Sequence, residues 1–269
     1  MPTTTPGTII LQSPASNGTL IITSDQVAAA GDASIVYGIT STGGTFNLRS
    51  SGTVDYVADW GDGNVETSTL NTLSHTYAAG DYNLAIYSDD VYRPYFNNSG
   101  DENQLTSAAI GAGADLGTNL TYAWFGANNM TSFVCPFDVT SSVTNFFAAW
   151  AACSGLTSFP LIDTSSGTNF IYAWQGCSGL SSFPANMFDA TGTLSSNAFE
   201  NAWSGCALTA QSIENILVSL DTNGASNIAL GIDGGTNAHT STWSAAANAA
   251  WLSLDAKGWN ITQNGPDPT

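Results

Sequence analysis

Few side chains in this sequence could do covalent or acid–base chemistry. It has two histidines, one lysine (Lys257) and four cysteines (Cys135, Cys153, Cys177 and Cys206). Catalysis needs a nucleophile, an acid and a base brought together, yet there is no HExxH helix for zinc, no GxSxG elbow and no P-loop. The cysteines stand 18, 24 and 29 residues apart, which fits neither a zinc knuckle nor a CxxC redox pair. Aspartates are plentiful, and two at the right separation would hydrolyse a glycosidic bond, but separation is invisible in sequence. Asp55, Asp59, Asp62, Asp81, Asp89 and Asp90 offer the oxygens that calcium takes, without EF-hand spacing. Calcium is therefore the one cofactor left open, and solvated turns account for the same carboxylates. His75, ahead of Thr76 and Tyr77 at a strand start, reads as a structural hydrogen-bonding residue. The expectation is a non-enzymatic protein with no catalytic residue.

Charge narrows the partners. Twenty-one acidic residues face only Arg49, Arg93 and Lys257, giving a formal net charge of -18. Such a chain cannot neutralise a phosphate backbone, and anionic headgroups repel it, so neither nucleic acid nor an acidic membrane is an expected partner. No stretch approaches the ~20 apolar residues of a membrane span, and the opening Met-Pro-Thr-Thr-Thr-Pro lacks the basic and apolar parts of a secretory signal. Apolar residues at 43% and aromatics at 11% suffice for a sizeable core, and 269 residues suggest two compact units.

The elements that must hold these residues are mostly strands. Residues 1–30 form an arm with apolar runs at Ile9–Leu11 and Leu20–Ile22 around a Ser-Pro-Ala-Ser-Asn-Gly turn, a strand, turn, strand unit carrying only Asp25 as charge. Such an arm needs a sheet edge to cover it, either the chain's own or a neighbour's. In residues 31–100, Ile35, Tyr37 and Ile39 alternate, then Phe46 and Leu48, then Val54, Tyr56 and Ala58, the period-2 pattern of half-buried strands. The run Asp59-Trp60-Gly61-Asp62-Gly63, followed by His75-Thr76-Tyr77 and Gly80-Asp81-Tyr82, resembles the polycystic-kidney-disease (PKD) type domain. That resemblance implies an immunoglobulin-like β-sandwich serving as a spacer or adhesion module, with Trp60 plugging its core and no catalytic residues.

Residues 101–208 repeat. Trp124, Trp150, Trp174 and Trp203 sit in the related segments Tyr-Ala-Trp-Phe-Gly, Ala-Ala-Trp-Ala-Ala-Cys, Tyr-Ala-Trp-Gln-Gly-Cys and Asn-Ala-Trp-Ser-Gly-Cys, 26, 24 and 29 residues apart. Met130, Leu156 and Leu180 follow six residues after a Trp, and Phe133, Phe159 and Phe183 nine after. Cys153, Cys177 and Cys206 share one repeat position, filled by Ala127 in the first unit, and read as buried apolar fillers. A period in the twenties with fixed apolar offsets predicts a solenoid whose coils bury their edges only against one another. The region resembles BspA-type leucine-rich repeats. The pairing of a PKD-like domain with such repeats is similar to phage virion and bacterial surface proteins. Residues 209–269 read as a cap, with one helix set by Ile213, Ile216, Leu217 and Leu220, a second beginning near Ser241, and a strand at Trp259–Thr262.

The fold class expected is thus mainly β with short helices: an immunoglobulin/PKD-like sandwich plus a leucine-rich-repeat-like solenoid with an α-helical C-terminal cap. The resemblances imply a phage virion structural protein (a head decoration, fibre or tail-associated subunit) located on the virion surface. Its partners would be capsid or tail proteins or further copies of itself, with host surface glycans or proteins as ligands. The alternative is an extracellular cell-surface adhesin or carbohydrate-binding module.

Overall fold

The computed structural model describes residues 34–97 and 100–269, together with the backbone of two strands near the N-terminus. Those strands, β1 (Thr8–Gln12) and β2 (Thr19–Thr23), pair antiparallel as a separate two-stranded sheet with Thr8 opposite Thr23. The expected turn between them, and the rest of the arm, lie outside the described residues.

The next strands are β3 (Ile35–Arg49), β4 (Tyr56–Asp59), β5 (Val65–Ser68) and β6 (Thr72–Tyr87). They join β7 (Leu105–Ile110) and β8 (Ser132–Val134) in one six-stranded sheet ordered β5-β4-β6-β3-β7-β8. All pairs are antiparallel except β7 with β8, so the sheet is mixed. Alternate residues of β3 and β6 enter the core, among them Ile35, Tyr37, Phe46 and Leu48 from β3 and Leu84 and Ile86 from β6. The sequence suggests two separate alternating runs for β3, whereas it is one strand. Its middle, Thr42–Thr45, is exposed, with Thr42 opposite the exposed Ala79 and Thr45 opposite the exposed Thr76, and Gly43 and Gly44 supply positive φ there.

The Trp-containing units stack on one end of this sheet. Tyr95 N–H donates to Arg49 O and Phe96 N–H to Tyr122 O, which fastens the first unit to β3. Tyr122, Trp124 and Gly126 donate to Phe147, Ala149 and Ala151. Ala148, Trp150 and Ala152 donate to Ile171, Ala173 and Gln175. Tyr172, Trp174 and Gly176 donate to Glu200, Ala202 and Ser204. Trp203 N–H reaches Gly231 O in β9 (Ala229–Ile232), and β9 pairs parallel with β10 (Asn260–Gln263). One apolar core runs unbroken from Ile35 to Trp259.

Two helices close the far end. The first, α1 (Ala210–Asn223), is capped by the Thr209 side chain accepting from Ser212 N–H and ends at Gly224 with φ 80°. Its buried residues include Ile213, Ile216, Leu217 and Leu220, as their spacing predicts. The second, α2 (Ala245–Ala256), starts later than Ser241 because the Ser244 side chain takes Ala247 N–H as N-cap. Thr240–Thr242 instead form a 3-10 turn, and Trp243 lies before the helix while remaining buried. The described residues are therefore mainly β, with a mixed sheet, two short helices and no closed barrel. None of their helices is long and apolar enough to cross a membrane.

Candidate functional site

Two constellations hold the residues that the sequence singles out. The first lies in the turn between β4 and β5. Trp60 is fully buried and stacks on the His75 ring, with centroids 4.5 Å apart and planes within 12°. Its Nε1–H donates to Glu66 Oε1 at 3.1 Å, and the Tyr77 hydroxyl donates to its carbonyl at 2.9 Å. Tyr82 stacks on Tyr77 at 4.4 Å. His75 Nε2 lies 2.8 Å from Asp62 Oδ2 and Nδ1 lies 3.6 Å from Glu66 Oε1, so both ring nitrogens face carboxylates.

Glycine is needed in this turn. Gly61 has φ 75°, and a Cβ there would fall 2.5 Å from Asn83 O; Gly63 has φ 95°. Partial burial alone would raise the Asp62 carboxyl, but hydrogen bonds from His75 and from Asn64 outweigh it and hold the group below the usual carboxylate range. An imidazole flanked by carboxylates suggests an oriented base. Here, however, both nitrogens are engaged, and the ring is packed against Trp60 and, at 4.7 Å edge-on, Tyr77. The arrangement clamps the turn to β6. Among the described residues no group of three or more His, Cys, Asp or Glu is placed to hold a metal ion. A shallow recess of about 340 Å³ near Gly38, Thr40, Asp81 and Tyr82 is crossed by a Thr40 to Asp81 hydrogen bond of 2.6 Å.

The second constellation is the interior of the repeats. Trp124, Trp150, Trp174 and Trp203 are fully buried and stack face to face at 5.4, 5.6 and 5.1 Å, with planes within 11°. Phe133, Phe159 and Phe183 form a parallel ladder at 5.5 and 5.8 Å, each ring meeting two indoles edge-on. A third ladder, Phe146, Phe170 and Phe199 at 4.9 and 5.0 Å, escaped the sequence reading. Its signal was present, because each stands four residues before a Trp, where the first unit has Leu120. The Nε1–H groups of Trp150, Trp174 and Trp203 have no hydrogen-bond acceptor within the buried stack. Trp60, Trp243 and Trp259, outside the ladder, each donate to an oxygen.

Cysteine has a stated task in this stack. Cys153 Sγ donates to Trp124 O at 3.1 Å, Cys177 to Trp150 O at 3.0 Å and Cys206 to Trp174 O at 3.1 Å. Each thiol is a second donor to the carbonyl of the preceding unit's Trp, which also accepts a backbone N–H from Ala127, Cys153 or Cys177 of its own unit, so an apolar filler would leave one lone pair of that oxygen unused. The next carbonyl, Trp203 O, has no cysteine to meet it, and buried Asn237 donates Nδ2–H there at 2.9 Å. No repeat spacing marks Asn237, so sequence reasoning had no route to it. All four cysteines are free and buried. Burial pushes the Cys153 and Cys177 thiols far up, and burial with nearby Asp138 pushes Cys135 up to about 12.

Each Trp is also bracketed by left-handed residues. Two positions before it come Tyr122, Ala148, Tyr172 and Asn201, with φ between 48° and 57°. Two positions after it come Gly126, Ala152, Gly176 and Gly205, with φ between 61° and 81°. Gly155 and Gly179 bring coils together: a Cβ on Gly179 would sit 2.5 Å from Ser154 O and 2.9 Å from Leu156 O.

No protein-family model, curated protein or solved structure matches the chain.

Proposed function

We propose that the chain is a non-enzymatic phage virion structural protein, a head decoration, fibre or tail-associated subunit. In this reading an immunoglobulin-like, PKD-resembling sandwich carries an outward-pointing leucine-rich-repeat-like solenoid. The supporting observation is the unbroken ladder of hydrogen bonds and stacked rings from Arg49 through the Trp units to β10. Its buried side chains fill the stack, and His75, Asp62 and Asp221 are held in structural contacts. Such a build suits display at a distance from a support, and the net charge of -18 keeps neighbouring copies apart while screening limits the repulsion to about a Debye length.

The support would be gripped by the N-terminal hairpin. An isolated two-stranded hairpin is marginal in water, and β1 and β2 form a sheet of their own, so a capsid, tail or sister-subunit edge is the natural third strand. A bacterial cell-surface adhesin or carbohydrate-binding module is the second reading, favoured by half-exposed aromatic rings along the coils. Peptide mass spectrometry of purified virions tests the choice. Stoichiometric recovery in particles supports the first reading. Absence from particles with recovery in a cell-surface fraction refutes it.

A further inference from the structure

A row of aromatic rings crosses the outside of the coils, apart from the buried ladders. Tyr95, Tyr122, Phe147 and Tyr172 succeed one another with centroids 6.3, 5.5 and 5.6 Å apart and planes 75° to 88° apart, and Phe125 adds a fifth ring 5.4 Å from Tyr122. All five are half-buried, whereas every ladder Trp is sealed. Uncharged polar groups stand beside them, with Asn97 donating to the Tyr95 hydroxyl at 3.1 Å and Gln175 in the place in its unit that Phe125 has in the first, and the row ends at the exposed Glu200, whose carbonyl accepts Tyr172 N–H.

The backbone adds an independent observation. Tyr122 and Tyr172 sit at φ 56° and 57°, a left-handed conformation that bulky side chains adopt only at a cost. The fourth coil solves the same position with Asn201 at φ 50°, a residue that tolerates it readily. Keeping tyrosine at two of the four positions strains the backbone without filling the core, and strain of that kind collects where a surface is used.

We propose that this row binds a neutral, β-1,4-linked polysaccharide, whose flat C–H faces lie on the alternate rings Tyr122 and Tyr172, each turned 81° to 88° from Phe147 between them, while its hydroxyls meet the flanking tyrosine and amide groups. The equivalent Tyr122 and Tyr172 are two coils apart, about 9.5 Å at the usual strand spacing, close to the rise of one disaccharide in such an extended chain. A uronate, sulfate or phosphate-bearing polymer is excluded by the net charge of -18. The inference rests on the outward display of the coils proposed above.

The test uses the purified full chain with microcrystalline cellulose and chitin as probes and amylose as a control. Retention on cellulose or chitin that persists in high salt, with none on amylose, is the expected result. In the double variant Tyr122→Asn/Tyr172→Asn affinity should fall about tenfold or more, while the melting temperature stays equal or rises because the left-handed strain is relieved. The proposal is overturned by no retention on either probe, by retention lost in salt, by undiminished retention of the double variant, or by a fall in its melting temperature. Virion membership is unaffected by any of these outcomes.

Discussion

Asn237 is the point at which the reasoning about the Cys ladder can be broken most cleanly. Its Nδ2 group donates to Trp203 O at 2.9 Å and Ile232 O at 3.0 Å, and its Oδ1 accepts Leu208 N–H at 2.8 Å, all in a buried setting. Asn237→Ala leaves the Leu208 donor unpaired, at about 1–3 kcal/mol, and strips the side-chain donor from Ile232 O and from Trp203 O, the latter keeping Cys206 N–H at 3.3 Å, at about 0.5–1.5 kcal/mol for each lost bond. The expected loss is therefore about 2–5 kcal/mol, read as a shift of the urea midpoint by tryptophan fluorescence. Asn237→Cys restores the single thiol donor used by the other units but loses the Leu208 and Ile232 contacts, so it should fall between wild type and Asn237→Ala. Asn237→Asp keeps the acceptor but turns a second oxygen toward carbonyls, which raises the folded-state pKa of the new carboxyl. It should therefore recover stability as the pH falls and the group becomes a donor. A loss under about 1 kcal/mol for Asn237→Ala, or a cysteine variant no better than alanine, refutes the idea that Asn237 terminates the ladder.

Gly179→Ala should cost about 1–3 kcal/mol, because its Cβ meets Ser154 O and Leu156 O, both backbone atoms of the adjoining coil; an unchanged urea midpoint would contradict that packing. Ala152→Gly should be neutral to about 1 kcal/mol stabilising, since the left-handed strain at φ 61° exceeds the added unfolded-state entropy, and a clear destabilisation in calorimetry would argue against it. The thiols should resist an aromatic disulfide reagent at pH 8 in the native state and react fully in denaturant; rapid native labelling of Cys153 or Cys177 would show that the core opens. Asp62 and Asp221 are both held below the ordinary aspartate value of 3.8, so the stability they contribute is complete above it and lost as pH falls through their lower folded values. The melting temperature should therefore drop below about pH 4, less steeply in Asp62→Asn, and an identical acid profile for that variant would rule the contribution out.

The sequence made the ladders legible because a stack of repeated units copies side-chain type into fixed offsets. Trp124, Trp150, Trp174 and Trp203 could be aligned before any geometry was known, and so could Phe133, Phe159 and Phe183. The Phe146 ladder was equally periodic, but Leu120 in place of Phe at its start hid it. Other features rest on tertiary contacts without a period. Asn237 is one of them. The continuity of β3 through Thr42–Thr45 is another, because a polar, glycine-bearing stretch reads as a turn unless its partner β6 is known to continue alongside. The start of α2 was placed three residues early because several hydroxyl residues compete there and only the structure singles out Ser244.

The joint between each cysteine and the preceding Trp carbonyl is the same at every step, and Asn237 closes the series only once. Neither end of the molecule therefore fixes how many coils lie between. Duplication or loss of one unit, such as the 24 residues from Trp150 to Trp174, would make or remove a joint of unchanged chemistry. Each such event would alter the reach of the protein by about 4.8 Å, the spacing of neighbouring strands. Length in this architecture is a heritable quantity adjustable one coil at a time, while the sheet and the helical cap are carried along unaltered.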